Sequence, residues 1–132
     1  MSIYMLDTDT CSYVIRNNPK SVAEALVRHE NDDICISVVT YAELLYGIQK
    51  HGSHKLARTV RSFVDRLEIV EWTREAAAEY ADIRCLIEAK GTPLNGADLM
   101  IAACAKTIGA ILVTNNVKHF EKIPALKIEN WS

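Results

Sequence analysis

The chain has 132 residues, of which 49% are apolar and 24% charged, so it is long enough for one globular domain with a substantial core. Its formal net charge of −2 means that it is not one of the strongly basic proteins that bind nucleic acid non-specifically, although a local basic patch is compatible with this charge. There is no run of about eighteen apolar residues and no basic N-terminal segment leading into an apolar one, so we expect no membrane span, no export signal and a cytoplasmic protein.

None of the four cysteines belongs to a CxxC pair, and each lies within or beside an apolar segment. Zinc ligands usually occur in closely spaced pairs, and disulfides belong to oxidising compartments. We therefore expect four buried free thiols. The cysteines are Cys11, Cys35, Cys85 and Cys104.

Short apolar runs recur along the chain and alternate with segments of helical spacing. Hairpin turn signals are absent between them, and this alternation predicts a parallel sheet with helices on both faces. We therefore predict an α/β fold with three α/β/α layers, a central mostly parallel sheet of four to five strands, and a single domain over residues 1–132. The predicted strands cover about residues 3–7, 34–39, 67–70, 110–114 and, at an edge, 126–128.

Capping residues mark the starts of the predicted helices. Asn18 is a good N-cap before Pro19, and Thr40 with Glu43 three residues later forms a capping box. Thr73 and Asn95 precede two further helices. The predicted helices cover about 11–15, a segment beginning at 19, 40–48, 53–66, 74–89 and 96–107.

Several polar side chains are expected at one edge of this sheet. Asp7 ends the first strand, Glu43 lies in the first turn after the second strand, and Asn116 follows the fourth. The C-terminal ends of parallel strands and the N-terminal ends of the helices that follow them share one edge. Asp98 reaches the same edge because its helix must run antiparallel to the strands. We therefore expect these four side chains to lie close together.

Each of these residues also suits an ordinary structural role: a capping box for Glu43, a helix dipole for Asp98 and a turn for Asn116. Asp7 is harder to explain in this way, because a carboxylate at the end of a buried strand is costly without partners. Carboxylates in one cleft repel one another unless a cation neutralises them. Mg²⁺ binds through one or two carboxylates, waters and a substrate phosphate. The pattern therefore predicts a metal-dependent reaction at phosphorus.

Four motifs, in this order along the chain, resemble the PIN-domain ribonucleases, and most closely the VapC toxins of type II toxin–antitoxin modules. The resemblance spans the whole chain, including its ending at 128–131. The motifs are Met5-Leu6-Asp7-Thr8, residues 37–47, residues 91–94 leading into Asp98, and residues 112–116.

The resemblance implies an Mg²⁺- or Mn²⁺-dependent endoribonuclease. Its acidic cluster would be Asp7, Glu43 and Asp98, all metal ligands, with Asn116 as a further catalytic residue. Thr8 and Thr114 would be supporting hydroxyls. The chain departs from the family at Asp9, where Asn is frequent, and at Asn116, where a fourth acid is frequent. Whether one or two metals bind is therefore open, and so is the role of Glu43 as base or ligand.

The resemblance also implies a mechanism and partners. Attack by a metal-activated water would leave a 5′-phosphate and a 3′-hydroxyl, whereas attack by the 2′-hydroxyl would leave a cyclic phosphate. The implied substrate is RNA, often tRNA. The implied partners are a VapB-type antitoxin and a second copy of the chain in a homodimer, with operator DNA bound only through the antitoxin.

Two surfaces are candidates for these partners. A basic rim for RNA is predicted on the fourth helix and just before it, and an apolar groove wall for an antitoxin helix is predicted on the third. The predicted rim comprises Lys50, Lys55, Arg58, Arg61 and Arg66. The predicted wall comprises Tyr41, Leu44, Leu45, Tyr46 and Ile48.

Two alternatives remain open from the residues alone. The sequence Asp7-Thr8-Asp9 after an apolar run also resembles the haloacid-dehalogenase phosphatases, with Asp7 as nucleophile and Asp9 as acid–base. The residues that follow, Thr10 and Cys11, do not fit that motif. The other alternative is a PIN-like binding module without activity, which the amide at Asn116 suggests.

Overall fold

The computed structural model describes residues 2–132, whose five strands form one parallel sheet in the order β3-β2-β1-β4-β5. In this register Tyr4 lies between Ile34 and Ile111 of the neighbouring strands. The predicted α/β/α arrangement is confirmed, and the sheet is parallel throughout. The strands are β1 (Ile3–Leu6), β2 (Asp33–Ser37), β3 (Glu68–Val70), β4 (Ile111–Val113) and β5 (Lys127–Glu129).

Seven helices connect and follow these strands in the described part of the chain. Gly52 and Gly109 end two of them with φ of 67° and 70°, a left-handed conformation that favours glycine. The helices are α1 (Thr8–Arg16), α2 (Lys20–Arg28), α3 (Val38–His51), α4 (His54–Val64), α5 (Arg74–Ala89), α6 (Gly96–Ile108) and α7 (Val117–Phe120).

The sheet separates two hydrophobic cores, because successive residues of a strand point to opposite faces. Met5 and Leu112 lie on the face covered by α5 and α6. Tyr4 and Leu6 lie on the other face, which α1, α2, α3 and α4 cover. Trp131 closes this second core: its ring stacks on His29 at 4.8 Å between centroids.

The structure corrects two predicted helix starts. Strand β2 ends at Ser37, and α3 begins at Val38 with Ser37 as its N-cap, accepting a hydrogen bond from the Thr40 amide at 3.1 Å. The predicted capping box of Thr40 and Glu43 is therefore wrong. Helix α1 begins at Thr8 and includes the predicted short helix 11–15, because Asp7 itself is the cap.

Two smaller predictions are wrong, and one short helix was not predicted. Pro19, and not Asn18, is the N-cap of α2, and it makes no capping bond through its side chain. Helix α7 was not predicted, since four residues carry too little pattern. Cys85 is exposed, because it lies off the apolar face of α5, whereas the other three cysteines are buried free thiols as predicted. Across residues 2–132, no helix combines the length and apolar character required to cross a membrane.

Candidate active site

Asp7 lies where β1 passes into α1, and its side chain is the N-cap of that helix. Its Oδ1 accepts a hydrogen bond from the Thr10 amide at 2.9 Å, and its own amide donates to the Val113 carbonyl at 3.0 Å. The side chain is only 4% exposed, and this burial raises the pKa of Asp7 above its ordinary value. Hydrogen bonds from Thr114 and Thr10 act against that rise in pKa. Asp7 is thus a buried carboxylate whose charged form depends on two threonines.

Thr114 connects Asp7 to the turn after β4. Its side chain is fully buried, its amide donates to the Glu129 carbonyl at 2.9 Å, and its Oγ1 accepts from the Asn116 amide at 3.0 Å. The Thr114 side chain also acts to lower the pKa of Asp7, which places it near that carboxylate. The predicted supporting hydroxyl therefore lies beside the first acid, and it joins the β4–α7 turn to β1.

Asp98 lies in the first turn of α6 and is held by the N-cap residue of that helix. The Asp98 amide donates to Asn95 Oδ1 at 2.8 Å, and Asn95 Nδ2 donates to Asp98 Oδ2 at 2.9 Å. Partial burial is the main cause that raises the pKa of Asp98, followed by repulsion from the charge of Asp7. The hydrogen bond from Asn95 acts to lower this pKa. The charges of Glu43 and Asp9 raise it further, so all four carboxyl groups act on one region, here called the acidic pocket.

Glu43 is exposed and approaches the acidic pocket from α3. It lies in the second turn, and not the predicted first turn, because α3 starts earlier than expected. Its carboxylate accepts a hydrogen bond from the Thr8 hydroxyl, which in turn lies 3.3 Å from Thr40 Oγ1. These contacts fasten the carboxylate of α3 to the first turn of α1, directly after Asp7.

Asn116 precedes α7 and makes no capping bond through its side chain. Its side-chain Oδ1 instead hydrogen-bonds His119 Nδ1, and its backbone amide donates to Thr114 Oγ1. Asn116 is therefore joined to Thr114, the residue whose side chain acts to lower the pKa of Asp7. His119 was not among the predicted site residues, although three positions after Asn116 is a spacing at which helical side chains meet.

The donors of the acidic pocket fit a hard divalent cation. They are carboxylate oxygens, with the Thr8 hydroxyl beside Glu43, and oxygen atoms of this kind are the ligands that Mg²⁺ prefers. Within residues 2–132, no three Asp, Glu, His or Cys side chains are close enough to hold a metal ion jointly, so the described residues contain no preformed three-carboxylate cage. Asp7 and Asp98 are the residues that could hold a cation here.

Two grooves flank α4. The first, of about 330 Å³, borders the acidic pocket at Thr8, Asp9 and Glu43. The second, of about 490 Å³, lies among α1, α2 and α4 and is here called the α4 groove. Residues with apolar side chains form most of its wall, and Arg58 and Arg66 stand among them. The apolar members are Val14, Ile15, Leu26, Phe63 and Leu67.

These grooves bear on both predicted surfaces. All five residues of the predicted basic rim are exposed, and two of them line the α4 groove. Among the predicted groove-wall residues, Leu44 and Ile48 are buried but line the first groove, whereas Tyr46 is 65% exposed. The role of either surface in binding stays a prediction.

Comparisons with known proteins place this geometry in a family. A profile of the PIN domain matches residues 4–126. The tRNA(fMet)-specific endonuclease VapC of Salmonella typhimurium is 38% identical over 129 residues, covering 97% of both chains. Ribonuclease VapC2 of Rickettsia felis is 39% identical over 131 residues, covering 98% of both.

A solved structure agrees with the sequence matches. The crystal structure of VapBC2 from Rickettsia felis, bound to a DNA fragment from its promoter, superposes with a TM-score of 0.90. The two chains are 37% identical there, over 98% of this chain and 99% of that one. A match of this extent rules out the haloacid-dehalogenase alternative. The chain belongs to the PIN-domain family and, within it, to the VapC ribonucleases.

Proposed function

We propose that the protein is an Mg²⁺-dependent endoribonuclease toxin of the cytoplasm that cleaves tRNA, with Mn²⁺ able to replace Mg²⁺. The observation that carries this proposal is the pair Asp7 and Asp98. Burial raises the pKa of both carboxyl groups, and the charge of Asp7 raises that of Asp98 further, in a chain that matches a tRNA endonuclease along 97% of its length. Partly buried carboxylates whose charges interact suit a cation site.

In this proposal Asp7 and Asp98 hold the cation, and Glu43 is the third carboxylate. When bound, Mg²⁺ lowers the pKa of a coordinated water and offsets charge on the phosphoryl oxygens. Hydrogen bonds within the chain favour the charged, metal-binding form of these carboxylates. Thr10 and Thr114 favour the charged form of Asp7, and Asn95 does so for Asp98.

Glu43 suits the role of general base better than that of ligand. It is exposed, and its carboxylate is held by the Thr8 hydroxyl at the border of a groove. From there it accepts the proton of the attacking water, which predicts products with a 5′-phosphate and a 3′-hydroxyl. The variant Glu43→Gln separates the two roles. If Glu43 is the base, the variant loses cleavage but keeps its Mn²⁺ affinity; if Glu43 is a ligand, the variant loses both.

The proposed partner is a VapB-type antitoxin, and its proposed binding site is the α4 groove, in place of the wall on α3 that was predicted from the sequence. Its apolar wall suits the apolar side of a helix, and Arg58 and Arg66 suit acidic residues on that helix. The VapBC structures from Rickettsia felis and Salmonella typhimurium were solved on DNA, which supports operator binding through the antitoxin. The proposal also includes a homodimer formed by two copies of the toxin.

Cleavage of purified tRNA tests the catalytic claim. The wild-type protein is incubated with total tRNA and with initiator tRNA, in Mg²⁺ or in EDTA, and the new RNA ends are mapped. We expect cleavage at a defined site that EDTA abolishes. Asp7→Asn and Asp98→Asn should each lose at least about a hundredfold in rate. The matched control is Asp82→Asn, an exposed acid on α5, which should cleave normally.

Two results would contradict the proposal. Cleavage that persists in both Asp7→Asn and Asp98→Asn would point to a contaminating nuclease. A wild-type protein that binds tRNA but never cleaves it, with Mg²⁺ or Mn²⁺ present, would favour the inactive binding module instead.

A further inference from the structure

His119 holds Asn116 through two contacts at the start of α7. Its Nδ1 bonds Asn116 Oδ1, and its backbone amide donates to the Asn116 carbonyl at 3.2 Å. The next residue, Phe120, is fully buried and anchors this short helix in the core. The imidazole is therefore attached to a fixed piece of backbone, and it engages a residue at the sheet edge where the acidic pocket lies.

The chemistry of this contact fixes the direction of the amide. An imidazole Nδ1 that meets an amide oxygen must carry the proton, because Oδ1 can only accept. With Oδ1 occupied, the side chain of Asn116 offers the two N–H groups of Nδ2. The backbone amide of Asn116 donates to Thr114 Oγ1 at 3.0 Å, and the Thr114 side chain acts to lower the pKa of Asp7. Two successive hydrogen bonds thus connect His119 to Thr114, a residue that acts on Asp7.

We propose that His119 is a positioning residue for RNA cleavage: it holds the Asn116 amide so that Nδ2 donates to a non-bridging oxygen of the scissile phosphate. This inference rests on the proposed function. Asp7, Asp98 and Glu43 repel an incoming phosphate, and a further carboxylate at position 116 would add to that repulsion. A neutral amide with its donors directed by His119 attracts the phosphate instead. The fixed direction matters because a preorganised donor is worth more in the transition state than a mobile one.

A double-mutant cycle tests whether His119 acts through Asn116. The kcat and KM for tRNA are measured in Mg²⁺ for wild type, His119→Ala, Asn116→Ala and the double variant. We expect each single change to lower kcat/KM about tenfold, the scale of one hydrogen bond. The double variant should be no worse than Asn116→Ala alone, because the two residues act as one unit. Fully additive losses would overturn the proposal.

Two conservative variants distinguish the ring nitrogens. His119→Asn places an amide N–H near the position of Nδ1, and His119→Gln places one near Nε2. We expect His119→Asn to retain most of the kcat that His119→Ala loses, and His119→Gln to retain little of it. The reverse result would mean that Nε2 touches the RNA directly, and the positioning role would be wrong.

Nuclear magnetic resonance separates this inference from the proposed function. In ¹⁵N-labelled protein without RNA, the side-chain amide signals of Asn116 should shift in His119→Ala and stay in place in Glu121→Ala, an exposed neighbour. Unchanged Asn116 signals in His119→Ala would refute the positioning role even where RNA is cleaved. If Asp7→Asn cleaves normally, the proposed function fails, and the amide signals still decide the His119–Asn116 contact.

Discussion

Replacing Asp7 by Asn should stabilise the metal-free protein at neutral pH. The change removes a charge from a side chain that is 4% exposed, and it keeps the shape and the oxygen that accepts from Thr10. Asn caps helices about as well as Asp, so little capping energy is lost. Burying a charged group without full hydrogen bonding costs on the order of 1–3 kcal/mol, and the capping bond offsets part of that cost. We therefore expect the free energy of unfolding to rise by about 1–2 kcal/mol at pH 7.

The increase in stability caused by Asp7→Asn should grow as the pH rises. The pKa of Asp7 is raised from 3.8 in the folded state, so the folded protein binds this proton more tightly than the unfolded chain. The contribution of Asp7 to stability is therefore greatest below 3.8 and is lost as the pH rises through its folded pKa. The difference between Asp7→Asn and wild type should consequently be absent at low pH and complete at pH 7.

Urea unfolding in EDTA, repeated from pH 3.5 to pH 7.5, measures this difference in the free energy of unfolding. In a thermal melt at pH 7, the melting temperature of Asp7→Asn should exceed that of wild type by about 3–6 °C. Asp82→Asn, an exposed control on α5, should change neither value. A variant that is less stable than wild type at pH 7, or a difference that does not vary with pH, would refute the reasoning.

Further predictions concern the surrounding contacts. Mg²⁺ should raise the melting temperature of the wild type but not that of Asp98→Asn, as calorimetry with matched EDTA samples would show. Thr114→Val removes the acceptor of the Asn116 backbone amide and a hydroxyl that favours the charged form of Asp7, so it should cost about 1–3 kcal/mol in urea unfolding at pH 7; an unchanged midpoint would show that the hydroxyl contributes nothing. Asn95→Ala should cost about 1 kcal/mol, the value of an N-cap, and a neutral effect would count against the observed capping bond. Cys85 alone should react with a thiol reagent in native protein, because burial raises the pKa of the other three thiols; fast labelling of a second cysteine would contradict this.

Local signals explain why much of the fold could be predicted. Helix α5 was predicted at its observed bounds because Thr73 caps it and an apolar face continues at helical spacing to Ile87. The strand order along the chain followed from short apolar runs. The starts of α1 and α3 were misplaced because several hydroxyl and carboxyl groups compete as caps there, and the backbone path selects Asp7 and Ser37.

The candidate site was predictable only as far as topology determines it. Connectivity alone put Asp7 at one edge of the sheet, the antiparallel direction of its helix put Asp98 there too, and in the structure the charge of Asp7 raises the pKa of Asp98. Glu43 was expected one turn too early, and its bond to Thr8 depends on how two helices pack. His119 was missed because its contact with Asn116 requires a four-residue helix that carries little local signal.

The central claim is that Asp7 and Asp98 together bind a divalent cation. Anomalous diffraction from crystals grown with Mn²⁺ tests it most directly. We predict a peak within about 2.3 Å of a carboxylate oxygen of each residue in the wild type, and no such peak in Asp7→Asn. A well-diffracting wild-type crystal at saturating Mn²⁺ with no peak between these carboxylates would contradict the account.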